Sequence, residues 1–208
     1  MESSILSYLE AELKENSLHP VAHQLIIDNK FISYDDKILS CNDIIAIRYG
    51  SMQMLVFHRL KTGRYHKIEL KDKNNNIITI FFGYSKLSDD NGEKEHNYDK
   101  IMEALWHAVK KRMVNEALDS INNNGSYKAG DCTVTKDGVK VKIQRIFSKK
   151  EYFIPWSELE RTMGFGKFYI ISKIHKVIKC KIHFLKTWNS VVLFTVLKYI
   201  TENKKNPI

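Results

Sequence analysis

The chain has 208 residues, 43% hydrophobic and 27% charged, with nine glycines and three prolines. That is the balance of a globular protein of one or two domains, and it excludes disordered, collagen-like and proline-rich classes. The net charge of +9 is lopsided: residues 1–125 hold 16 basic and 18 acidic side chains (−2), and residues 126–208 hold 17 and 6 (+11).

Ser4 to Leu18 is expected to form an amphipathic helix, because Ile5, Leu6, Leu9 and Leu13 recur at helical spacing until Pro20 ends it. From about residue 25 the pattern changes to short strands separated by turn signals. Leu25 to Ile27 and Phe31 to Tyr34 flank Asp28-Asn29-Lys30, and Ile44 to Tyr49 and Met52 to His58 flank Gly50-Ser51. Lys61-Thr62-Gly63 turns the chain into Tyr65 to Leu70, where His66, Ile68 and Leu70 alternate with Tyr65, Lys67 and Glu69. Ile77 to Phe82 follows, then a polar loop from Ser85 to Asn97. A helix of about 25 residues starting between Asp99 and Met102 carries Ile101, Leu105, Trp106, Val109, Met113 and Leu118 on one face. Asn122-Asn123-Asn124-Gly125 stops it.

The same grammar then restarts. Cys132 to Val134 and Val139 to Phe147 read as a hairpin about Lys136-Asp137-Gly138, followed by Tyr152 to Ile154 and Pro155-Trp156-Ser157. Phe168 to Ser172 and Val177 to Phe184 form another hairpin, and a closing helix runs from Trp188 to Glu202. Each half is a run of strands closed by one helix, an α+β plan and an internal structural repeat.

The second half, with its strand, Lys136-Asp137-Gly138 turn, basic strand and Phe153-Ile154-Pro155-Trp156-Ser157-Glu158-Leu159 segment, resembles a bacterial pleckstrin-homology-like domain. In the first half Ile38 to Ile44 occupies the corresponding place. The resemblance spans residues 22–123 and 128–203. With the expected N-terminal helix (1–21) ahead of it, the resemblance implies two such domains, 22–125 and 126–208. Each would be a bent antiparallel β-barrel or sandwich capped by a C-terminal helix. Members of that family mostly bind, some of them phosphoinositides and many of them proteins or peptides. Lys140-Val141-Lys142-Ile143-Gln144-Arg145 partly matches the basic inositide signature.

Few residues point to chemistry. No P-loop, G-x-G-x-x-G or nucleophile-elbow motif is present, so no enzyme, catalytic residue or cofactor is expected. His19 and His23 are separated by Pro20, and Cys180 and His183 lie three apart in a strand on opposite faces, so no metal site is expected. Cys41, Cys132 and Cys180 form no CxxC pair, which fits a reducing compartment. From the acidic start and the absence of any roughly 18-residue apolar run, a cytoplasmic location is expected. Gly164-Phe165-Gly166-Lys167-Phe168-Tyr169-Ile170 echoes an RNA-recognition signature but lacks the βαββαβ order around it. The candidate anion- or lipid-binding residues are Lys140, Lys142, Arg145, Lys167, Lys173, Lys176, Lys179 and Lys181. They would form one positive surface if their strands adjoin. The expected activity is that of a binding or scaffold module with a protein or peptide partner. The alternative is peripheral association with anionic lipid at the inner face of the membrane through the basic half. Nucleic acid ranks third, for want of a recognition helix or stacking platform.

Overall fold

Alternation of apolar and polar side chains governs most of the chain, and the computed structural model forms nearly all of these runs into antiparallel strands. It describes residues 8–14, 21–56, 60–85, 93–144 and 148–203. The chain divides into two compact units, Met1–Arg112 and Met113–Ile208. No helix of the described residues is long and apolar enough to cross a membrane.

In the first unit β1 (Tyr8–Lys14), β2 (Ala22–Asp28), β3 (Phe31–Tyr34) and β4 (Lys37–Ser40) form a four-stranded sheet in sequence order. After a 3-10 turn at Cys41–Asp43, β5 (Ile44–Val56), β6 (Leu60–Asp72) and β7 (Ile77–Ser85) form a three-stranded sheet. Strand β7 touches β1 and β4, so the two sheets enclose a core of Leu25, Ile32, Ile47, Ile68, Leu70 and Ile80, all inaccessible to solvent. Helix α1 (Glu93–Leu105) packs on β1 and β2. It runs through one π turn, Trp106–Lys110, into α2 (Lys111–Asn122), and the division between units falls within this helical run, at Arg112.

The second unit repeats the order. Strands β8 (Tyr127–Ala129), β9 (Cys132–Val134), β10 (Gly138–Gln144) and β11 (Lys149–Pro155) make a four-stranded sheet. A 3-10 turn at Trp156–Glu158 leads to β12 (Leu159–Gly164), β13 (Lys167–Ser172) and β14 (Lys179–His183), and α3 (Ser190–Asn203) closes the unit. Phe168 is fully buried and meets Phe184 and Phe194 at 5.4 and 5.3 Å between ring centres.

The repetition extends to single hydrogen bonds. The first N–H of each 3-10 turn, from Cys41 or Trp156, reaches back to the carbonyl of Lys30 or Asp137. The last carbonyl of each, Asp43 or Glu158, accepts from the N–H of Lys73 or Lys173, just beyond the middle strand of the following sheet. Arg112 Nη2 braces the first turn by donating to the carbonyls of Cys41 (3.1 Å) and Ile44 (2.7 Å). Trp156 Nε1 donates to the Lys136 carbonyl at 2.8 Å in the second.

Several expectations need correction. The N-terminal helix is not formed: Tyr8–Lys14 is a strand paired with β2 along its whole length, while residues 4–7 and 15–18 lie outside the described residues. Leu9 and Leu13 are buried between exposed Tyr8, Glu10, Glu12 and Lys14, and their spacing of four suits a period of two as well as a helix. Among the described residues the four sheets stay open and no barrel closes. Gly50-Ser51 is no turn, because β5 runs straight through it opposite Lys67 and His66. Nor is Lys61-Thr62-Gly63, which lies within β6 beside a register shift, the signature of a β-bulge. The long helix begins earlier than expected, at Glu93, and β8 and β12 are strands that the alternation did not single out. Its end is as expected: Asn124 takes the left-handed conformation (φ 61°), and Gly125 N–H returns to the Ser120 carbonyl.

Candidate functional site

Among the described residues strand β12 is an edge, paired only with β13. Beside that edge lies a groove of about 430 Å3 between β12 and α3, lined by Leu159 to Met163, Lys173, Phe194, Lys198, Thr201 and Glu202. Leu159, Arg161 and Met163 alternate with Glu160 and Thr162. Arg161 Nη2 donates to Thr201 Oγ1 at 3.0 Å, and its guanidinium stands 5.6 Å from the Phe194 ring centre, so it forms part of the groove wall. Met163 is 63% exposed, and Phe165, at the hairpin tip just beyond, is 72% exposed. Glu160 is held by Lys176 at 2.6 Å, and that hydrogen bond keeps its carboxyl below the ordinary range.

The eight candidate cations do not share adjoining strands. Lys140 and Lys142 are exposed on β10, whose neighbours are β9 and β11, and Lys142 lies 3.8 Å from Glu151. Lys167, Lys179 and Lys181 lie on the other sheet, on β13 and β14. Lys173 donates to the Ser157 carbonyl and Lys176 binds Glu160, so both fasten the β13–β14 turn. Arg145 lies outside the described residues. On the outer face of β13, Tyr169 has Lys179 Nζ at 4.1 Å and Lys167 Nζ at 5.8 Å from its ring centre. Lys181 is its cross-strand partner. Among the described residues none of these three lysines takes part in an ion pair.

The remaining candidates resolve into structural roles. Among the described residues no three His, Cys, Asp or Glu side chains gather as a metal site. His23 instead bonds Asp35 at 2.6 Å and stacks on Tyr34, and His19 lies outside the described residues. Cys180 is buried in the core, where burial pushes its thiol up to about 11. In the first unit Ser51 Oγ meets His66 Nδ1 at 2.8 Å, and the His66 ring contacts those of Tyr98 and Phe82, with centres 4.1 and 5.1 Å away. Lys110, in the π turn, donates to Tyr49 Oη at 3.0 Å, and burial lowers its pKa to about 8.

The groove and the Tyr169 face were not legible as sites in the sequence. Both depend on which strands are neighbours; the one local signal was Tyr169 lying between lysines two residues apart on β13 and β14. No protein-family model matches the chain, and it has no significant match among curated proteins or solved structures.

Proposed function

We propose that the chain is a non-enzymatic binding module, a tandem of two pleckstrin-homology-like units that takes an extended peptide segment of a partner protein against β12. The observation that carries this reading is the free edge of β12 running beside the groove. A strand edge offers a row of backbone donors and acceptors, and an adjacent groove reads alternate side chains of an added strand. Leu159, Met163 and Phe194 supply apolar contacts, and Glu160 and Glu202 stand with Lys173 and Lys198 along the groove. An apolar strand with polar neighbours of either charge suits that lining. The repeated order of four strands, a 3-10 turn, three strands and a helix supports the family resemblance.

Panning a random peptide library against the full chain supplies the probe. Selected peptides should shift the amide resonances of β12 and α3, and Met163→Asp should weaken them by about 10-fold or more. Peptides that bind the variant equally, or shift neither element, would refute the reading. A second reading, contact with an anionic lipid surface, is favoured by the β13–β14 turn, where Ile174 and Val177 are 66% and 82% exposed beside Lys173 and Lys176. Salt-sensitive vesicle co-sedimentation that Ile174→Asp abolishes would support it.

A further inference from the structure

In both units the middle strand of the three-stranded sheet turns one face outward, and the shared hydrogen-bond frame allows the two faces to be compared position by position. Lys73 and Lys173 are equivalent through their bonds to the 3-10 turns, so Glu69 and Tyr169 occupy the same place, as do Lys67 and Lys167. In the first unit Glu69 pairs with the cations of the face: its carboxylate takes Arg48 Nε at 2.7 Å and Lys67 Nζ at 3.3 Å. In the second unit an aromatic ring replaces that carboxylate. The cross-strand neighbour changes too, from Thr79 opposite Glu69 to Lys181 opposite Tyr169. Among the described residues Lys167, Lys179 and Lys181 take part in no ion pair. Lys179, Lys181 and His183 recur at alternate positions along β14, and Lys167 stands beside Tyr169 on β13.

From this geometry we infer that the outer face of β13 and β14 binds single-stranded nucleic acid, with a base stacked on Tyr169 and the phosphates following Lys167, Lys179 and Lys181. Single strands are held by an aromatic platform set among cations, because every base has a π face and the backbone tracks the charge. Lys179 Nζ, 4.1 Å from the Tyr169 ring centre, marks the face of the ring open to a ligand. An exposed lysine on a flexible stem can yield that position to a base and move to the neighbouring phosphate. His183, on the same strand, has its pKa lowered first by burial and then by the nearby cations Lys181, Lys186 and Lys167. A lipid surface suits this face less well, since its centre is a half-buried ring between strands and not a protruding apolar tip. The inference does not rest on the β12–α3 groove.

The test is fluorescence anisotropy of the full chain with labelled oligouridine and oligothymidine of about 12 nucleotides, a length in the range such platforms cover. Three phosphate contacts on a single strand predict a log–log salt slope near −2, so affinity should fall about 20-fold between about 50 and 200 mM salt. Tyr169→Ala should cost about 10-fold or more, while Tyr169→Phe, which keeps the ring, should stay close to wild type. Lys179→Gln with Lys181→Gln should flatten the salt slope to roughly a third. Thermal melts by circular dichroism establish that each variant is folded. Lack of binding at low salt overturns the inference. So does binding indifferent to Tyr169→Ala, or binding as tight to a duplex of the same length, since either is general attraction to a polyanion. Salt-sensitive pelleting with phosphatidylserine vesicles without oligonucleotide binding would also overturn it, assigning the lysines to a lipid surface.

Discussion

Replacing Lys110 by Met tests how strongly burial governs the first unit. The ammonium bonds Tyr49 Oη and stands 5.6 and 5.4 Å from the Tyr49 and Trp106 ring centres, with no carboxylate partner among the described residues. Burial draws its pKa from 10.5 to about 8. Between those values the unfolded chain holds more protons than the folded one, so stability rises with pH. The contribution is fully present above the unfolded value and is lost as pH falls through the folded one. At about 1.36 kcal/mol per pK unit the whole swing is about 3 kcal/mol, of which about 2 kcal/mol falls between pH values of about 7 and about 9.5. Lys110→Met keeps an unbranched apolar stem. It removes the charge-burial penalty, in which the cation–π contacts are already counted, and with it a hydrogen bond worth about 1 kcal/mol. The variant should therefore be about 2 kcal/mol more stable near neutral pH, and nearly all of that advantage should disappear by about pH 9.5. Cys41 and Cys180, both pushed up to about 11 by burial, act in the opposite direction in alkali but are common to both proteins and cancel in the difference. Equilibrium urea unfolding at the two pH values measures it. A stability difference that does not change with pH would refute the reasoning.

Gly138→Ala should destabilise the second unit. A Cβ there would lie 2.3 Å from the Ile154 carbonyl oxygen, a backbone atom of the paired strand that cannot swing away. Overpacking of this kind costs about 1–3 kcal/mol, more than the fraction of a kcal/mol gained by stiffening the unfolded chain. The melting temperature should fall by roughly 4 °C or more, and an unchanged or higher value would contradict the packing. Asp72 should titrate below its ordinary 3.8. Burial pushes its carboxyl up, but the Asn76 amide at 2.9 Å and the N–H groups of Asn76 and Asn74 at 2.8 and 2.9 Å outweigh that by favouring the carboxylate. This support for the β6–β7 turn is present above the unfolded value and lost as pH falls through the folded one. A carbon-13 titration of the side chain reads it, and a midpoint at or above the ordinary value would count against these bonds.

Local alternation made most strands legible, because a half-buried strand writes its two faces into the sequence. Val139 and Val141 are buried while Lys140 and Lys142 are exposed, as the period of two required. Tyr8–Lys14 is ambiguous in sequence, since Leu9 and Leu13 satisfy both periods, and pairing with β2 decides between them. The repeat bears on the same choice: a half that needs four strands before its 3-10 turn leaves room for one ahead of β2. Strand β12 is illegible for another reason. Arg161 and Met163, on the side of β12 that meets α3, are not the apolar, buried residues of a core strand, because the groove keeps them accessible. The residues that spoil the pattern are those that make the site. The lysines were visible as a composition, but their division between two sheets follows from β10 pairing with β9 and β11, which no local signal records.

The charge asymmetry of the two halves therefore has a structural expression more specific than a general excess of lysine. One frame is built twice, with the same hydrogen bonds at its 3-10 turns, so its hydrogen-bonded framework does not require the outer faces to differ. The first unit closes its outer face chemically: Arg48, Glu69 and Lys67 satisfy one another, and Tyr65 stacks on Phe81 at 5.1 Å over the space left by Gly83. In the second unit the carboxylate is exchanged for Tyr169 and the opposite Thr for Lys181, which leaves charge and ring available together. Unpaired like charges on one sheet face oppose folding slightly through mutual repulsion. A face optimised for stability alone would have kept the carboxylate, as the first unit does. The exchange is what the inferred single-strand site requires of this face.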